Sequence, residues 1–128
     1  MSVSNNVVTK SRFKTVNIRC DTDEAVETLY TCPSNCRSHM SMLHLVNAGG
    51  TVTVDVEFNR SAASQAALGV DAQAHILGGK NMSTGDYIQF LGAVMVLEPG
   101  DTVTIVADGS SPHVDAIATV EEFFLVPG

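Results

Sequence analysis

Cys32, Cys36 and His39 come nearest to a metal-ligand pattern in this chain, with Cys20 as a fourth donor. Thiolate and imidazole are natural zinc ligands, and four of them would close a tetrahedral structural site. The spacing Cys32-x3-Cys36-x2-His39 fits none of the common zinc motifs. Pro33-Ser34-Asn35 between the cysteines reads as a hairpin turn, which brings Cys32 and Cys36 together whether or not anything binds there. A cross-turn disulfide formed after release from the cell ranks above zinc. Thiols that behave as small hydrophobes rank above both. Three cysteines would leave one over in any closed disulfide framework.

Ser41, His113 and Asp115 supply the residue types of a hydrolytic triad. No G-x-S-x-G elbow or oxyanion-type loop positions the serine, so hydrolase chemistry is not expected. His39 and His44 are five apart on one strand, which predicts opposite faces and no pair. Gly78-Gly79-Lys80 resembles the end of a phosphate loop, but Asn81 stands where a hydroxyl residue is required. Asp21-x-Asp23-Glu24 could touch calcium, lacks the EF-hand pattern, and reads as a solvated turn. Glu121-Glu122 is a further acidic pair. The expectation is a protein that is not an enzyme and has no metal and no cofactor.

The elements that would position these residues are short strands. Val52, Val54, Val56 and Phe58 alternate with Thr51, Thr53, Asp55 and Glu57, the period of a half-buried strand. Residues 102–107 repeat it with Val103 and Ile105 inward. Strands are also predicted over 12–19, 26–32, 37–46, 73–78, 86–91, 93–97 and 114–126. Breaks fall at 33–35, 47–50, Gly78-Gly79, Glu98-Pro99-Gly100-Asp101 and 108–112. Residues 61–68 are Ala-rich behind a possible Ser61 cap, and read equally as a short helix or a loop. Strands without alternating helices predict an all-β antiparallel sandwich, jelly-roll or immunoglobulin-like.

Composition bounds the function. At 45% hydrophobic and 16% charged residues, the 128-residue chain reads as one folded domain. No apolar run approaches the roughly 20 residues of a membrane span, so no membrane partner is expected. The opening MSVSNNVVTKSRFK lacks a secretory apolar stretch, which suggests synthesis for a cytoplasm. A net charge of −7 disfavours nucleic acid as a partner. Residues 1–20 hold Lys10, Arg12, Lys14 and Arg19 and no acid, whereas all 14 acids lie beyond. This divides the chain into a basic N-terminal arm, 1–20, leading into the first strand, and a sandwich domain, 21–128. Those four basic residues are the candidate partner-binding residues. The chain has no Trp, and its tyrosines and phenylalanines are spread over mostly inward positions, which weakens a lectin reading. Carbohydrate binding would need an exposed patch near Tyr30 or Tyr87.

Several segments occur in a suggestive order: Glu27–His39 followed by Met42–Asn47, then Ile76–Asn81, Val96–Asp101, and Val114-Asp115-Ala116 with Val120–Phe124. Together, over roughly residues 15–126, they resemble small β-sandwich virion proteins of tailed bacteriophages, notably of marine and cyanobacterial phages. The resemblance implies a structural virion protein without catalytic residues, first of all a decoration or cement protein on the head. It would be assembled in the host cytoplasm. Its partners would be the major capsid protein or other virion proteins, together with self-association, for instance as a trimer. A neck or tail accessory protein and a carbohydrate-binding attachment module are the alternatives.

Overall fold

Alternating burial builds the sheets. Val52, Val54 and Val56 are buried, with half-exposed Thr53 and Asp55 between them; Val103, Ile105 and Ala107 repeat the pattern. The computed structural model describes residues 6–127, with side chains for 10–92 and 95–125. The elements run β1 (Asn6–Cys20), β2 (Val26–Thr31), β3 (Cys36–Asn47), β4 (Val52–Asn59), α1 (Ala62–Leu68), β5 (Gln73–Met82), β6 (Tyr87–Leu97), β7 (Thr102–Asp108) and β8 (Val114–Pro127).

These strands form two four-stranded antiparallel sheets, ordered β1-β8-β3-β6 and β2-β7-β4-β5. The chain changes sheet at every connection except β4-α1-β5. That strand order is a jelly roll, which decides between the two sandwich types expected from sequence. The inner faces meet over fully buried side chains such as Met40, Leu43, Leu45, Val54 and Ile105.

From Asn6 on, the stretch expected to be an arm leading into the first strand is itself that strand. It pairs with β8 from Asn6 opposite Pro127 to Cys20 opposite Val114. Residues 1–5 lie outside the described residues. Nor is Pro33-Ser34-Asn35 a hairpin: it carries the chain from one sheet to the other. Gly78-Gly79 does not end a strand either. Gly79 takes φ +66 in a bulge where β5 gains a residue on β4, and its N–H donates to Asp55 Oδ1 at 2.7 Å. Gly92, at φ +89, similarly lets β6 continue through the break expected between 91 and 93.

Asp101 closes one end of the sandwich. Pro99 and Gly100, the latter at φ +85, form a type II turn closed by Asp101 N–H to Glu98 C=O at 3.0 Å. The fully buried Asp101 carboxylate accepts from Ser61 N–H at 2.9 Å, Glu98 N–H at 3.0 Å, Arg60 Nη1 at 3.1 Å and Ser64 Oγ at 3.3 Å. Ser61 caps α1 by accepting from Ser64 N–H at 3.1 Å, and Gly69 ends the helix in the left-handed region. One carboxylate thus holds the β6–β7 turn against the start of the helix. Asp101→Ala strands these donors and is expected to cost about 3 kcal/mol in urea unfolding, with the far-UV spectrum retained. A loss below about 1 kcal/mol would mean that the turn holds without it.

Candidate assembly surface

Strand parity places the basic residues of β1. Val16, Ile18 and Cys20 face the core, so Arg12 and Lys14 share their side and Phe13 takes the other. The same parity on β8 puts Val114, Ala116, Ala118, Val120 and Glu122 inward. Glu122 is fully buried, yet it does not lack partners. Its Oε2 accepts from Tyr30 Oη at 2.5 Å, and its Oε1 accepts from Arg12 Nε at 2.7 Å. Lys14 Nζ stands 4.0 Å away. Tyr30 Oη also lies 2.7 Å from Ser38 Oγ, which in turn lies 3.3 Å from Cys32 Sγ. Lys10 and Arg12 stack over the Phe124 ring at 5.3 and 5.0 Å.

Burial pushes the Glu122 carboxyl up, but the Tyr30 and Arg12 hydrogen bonds and the Lys14 and Arg12 charges outweigh it and hold the group below the usual carboxylate range. Burial, and then Glu122, pushes the Tyr30 phenol up, so Tyr30 remains the donor. The group therefore contributes stability that is complete above its unfolded value and is lost as pH falls through the lower folded value. Glu122→Gln is expected to cost about 2 kcal/mol at neutral pH and to flatten the acid side of the stability–pH curve. An unchanged acid limb in urea titrations would contradict the linkage.

The cysteines are structural. Cys20, Cys32 and Cys36 are buried and free. Burial first of all pushes the Cys20 and Cys32 thiols up to about 11 and also raises Cys36. Cys32 Sγ lies 3.3 Å from the Cys36 carbonyl oxygen. Cys20 sits opposite Val114 and Cys36 opposite Phe124, ten β8 residues or roughly 34 Å apart. His39 points outward while Cys36 points inward, so the four zinc-type residues do not converge. Among the described residues no cluster of three His, Cys, Asp or Glu side chains could hold a metal ion. Native protein is expected to leave all three thiols unreactive to a disulfide reagent at pH 8 and to release them on unfolding. Fast native labelling of Cys32 would contradict this burial.

The outer face of the β1-β8-β3-β6 sheet is unlike the usual solvated face of a sandwich. Phe13, Leu91 and Tyr87 are 73%, 71% and 66% exposed, and Val96 and Ile117 are also exposed. The expectation that aromatics sit mostly inward fails for Phe13 and Tyr87, while Tyr30 is buried and presents no patch. His39 and His44 share this face, contrary to the five-residue count. A bulge at Ser41, where two β3 steps meet one on β8, resets the alternation. His39 packs against Phe123 at 4.7 Å between centroids and His44 stacks on Tyr87 at 5.8 Å. Beside the bulges at Ser41 and Gly92 lies an open, largely apolar groove of about 300 Å³, flanked by Phe13, His39, Met95 and Val96, with the Glu121 carboxylate at its border. The charges at the two ends of the face are paired: Arg19 Nε with Asp115 Oδ1 at 2.9 Å, and Arg37 Nε with Glu98 Oε2 at 3.1 Å.

The remaining sequence candidates are scattered. Ser41 lies beside Thr119, four β8 residues from Asp115, which is 3.5 Å from His113 Nε2; no triad forms. Asp23 accepts from Gly109 N–H at 2.9 Å and fixes a turn.

Fold and surface together define an all-β jelly-roll protein with one apolar sheet face. No protein-family model matches the chain, and no curated protein matches it significantly. Among solved structures it is similar to a subunit of the Bacillus endospore appendages, a family of disulfide-linked pili. That match has a TM-score of 0.56 at 16% identity and covers 98% of both chains, and it shows a shared fold. Looser matches include the capsid of a Helicobacter pylori bacteriophage, with a TM-score of 0.43 at 12% identity over 94% of both chains. A cyanophage capsid matches with a TM-score of 0.40 at 13% identity, over 97% of this chain and 89% of that one.

Proposed function

We propose that this chain is a structural protein of a tailed-phage virion, a decoration or cement protein that binds the outside of the head and meets the major capsid protein and its own copies. The apolar outer face of the β1-β8-β3-β6 sheet carries this reading, because a patch of that kind on a small acidic domain marks a protein contact. The residues considered for catalysis are dispersed, and the polar groups that do converge, around Glu122 and Asp101, hold the fold together. The jelly roll is an architecture that virion and lectin domains both use. A chain of the same length and fold occurs in the endospore appendages, which are pili, and that likeness of fold is compatible with an assembly role. Weak contacts repeated over a symmetric shell would supply the affinity.

Lys10, Arg12, Lys14 and Arg19 remain the candidate partner-binding residues of this reading. Each is also engaged within the chain, yet the Arg12, Lys14 and Arg19 side chains are about half exposed. Lys10, Arg12 and Lys14 form a basic strip along one side of an edge strand, with Arg19 on the outer sheet face near its far end, and an acidic neighbour would meet them there. Deleting residues 1–20 would remove that strand from its sheet, so milder variants are needed. Lys10→Gln with Lys14→Gln is expected to lower head occupancy and to make attachment less salt-sensitive.

The direct test is the number of copies per particle on heads separated from tails. Tens to hundreds of copies on heads are expected, because an icosahedral shell repeats each site many times. A small ring number found with tails would favour the neck or tail alternative, and absence from the particle would overturn the virion reading.

A further inference from the structure

The apolar sheet face holds both halves of a contact with itself. Leu91 stands out from β6 at 71% exposure, and the next residue, Gly92, lines the groove formed where the β3 and β6 bulges coincide. Knob and hole are therefore neighbours on one surface. We propose that this face is a two-fold contact between two copies of the chain, with Leu91 of each copy seated in the groove of the other beside Met95 and Val96.

Charge favours a second copy. The chain carries a net −7, so two copies repel except where their facing surfaces are nearly neutral. On this face Arg19 and Arg37 already neutralise Asp115 and Glu98, and Glu121 accepts from Ser11 Oγ at 2.8 Å. What remains between those pairs is Phe13, Leu91, Tyr87, Val96 and Ile117, with uncharged Ser41 and Thr119 and the Glu121 carboxylate among them. Among the described residues Glu121 is the one carboxylate of this face without a cation partner; it borders the groove and must stay at the solvated rim of a two-fold contact, held by Ser11, while the apolar remainder meets its own likeness without stranding a charge.

Area is sufficient. Four strands spaced about 4.8 Å apart, over about nine residues of about 3.4 Å each, cover roughly 600 Å² in plan. Two copies would bury on the order of 1,200 Å² in total, at the lower bound for a specific, stable interface. A two-fold axis through the face lets each Leu91 reach the partner's groove and closes the assembly, which an unclosed head-to-tail contact would not.

The inference deepens the self-association in the proposed function, replaces the trimer with a dimer, and does not depend on the particle being a phage head. It is tested by sedimentation equilibrium on the purified full chain. A dimer of the 13.5 kDa chain is expected, with a Kd on the order of 10 µM or tighter. Leu91→Asp is expected to weaken it roughly tenfold or more, by burying a carboxylate in the groove, while leaving the monomer's circular dichroism unchanged. Leu91→Met should dimerise like wild type, as should Val26→Asp, which alters an exposed residue on the opposite sheet. A wild-type monomer at about 100 µM, a trimer, or a dimer insensitive to Leu91→Asp would each overturn the two-fold contact. Chains that dimerise but are missing from virions would overturn the phage reading alone.

Discussion

A carboxylate buried between two sheets is costly unless it is fully partnered, and Glu122 meets that condition by drawing in both sheets. It belongs to β8. Its shortest bond reaches Tyr30 on β2 in the opposite sheet, and its ion pair reaches Arg12 on β1. Ser38 on β3 shares the Tyr30 hydroxyl. Four strands therefore converge on one charge. Among the described residues no buried side-chain nitrogen or oxygen lacks a hydrogen-bond partner. A network satisfied to that degree rigidifies and specifies its surroundings, whereas a half-satisfied one would be worse than an apolar core.

This arrangement shapes the surface as well. The inward-directed Arg12 and Lys14 give the long β1 edge a charge where a flat edge would invite strand pairing. Phe13, locked to the opposite parity, is forced outward onto the sheet face. The same constraint that ties the first strand into the core thus contributes an aromatic to the candidate assembly surface. The bulges at Ser41 and Gly92 do the rest: they disturb the flat face, open the groove and set Leu91 on its lip.

Much of the fold was legible in the residues. Alternation in 52–58 and 102–107 marked β4 and β7, and the Glu98–Asp101 turn was readable from Pro and Gly alone. The parity of Val16, Ile18 and Cys20 already implied that Arg12 and Lys14 point inward, which is hard to credit while a run of basic residues reads as a solvated arm. Bulges were less accessible. Nothing local announces the extra residue at Ser41, and that one residue moved His44 onto the face of His39. Gly78-Gly79 and Gly92 looked like strand ends because glycine serves turns and bulges alike. The choice of jelly roll over immunoglobulin order rests on long-range pairing, which strand patterns do not encode. Glu122 was visible only as half of an acidic pair; its partner Tyr30 lies 92 residues away.

The first strand, β1, is locked into the sandwich by β8 and Glu122 and is not a detachable arm. Native-state hydrogen exchange of the β1 amides that bond to β8 tests this most directly, in wild type and in Glu122→Gln. Protection of β1 close to that of β8 in wild type, falling selectively in β1 when Glu122 is neutralised, is the predicted result. Wild-type β1 amides that exchange freely while β8 and β3 stay protected would contradict it.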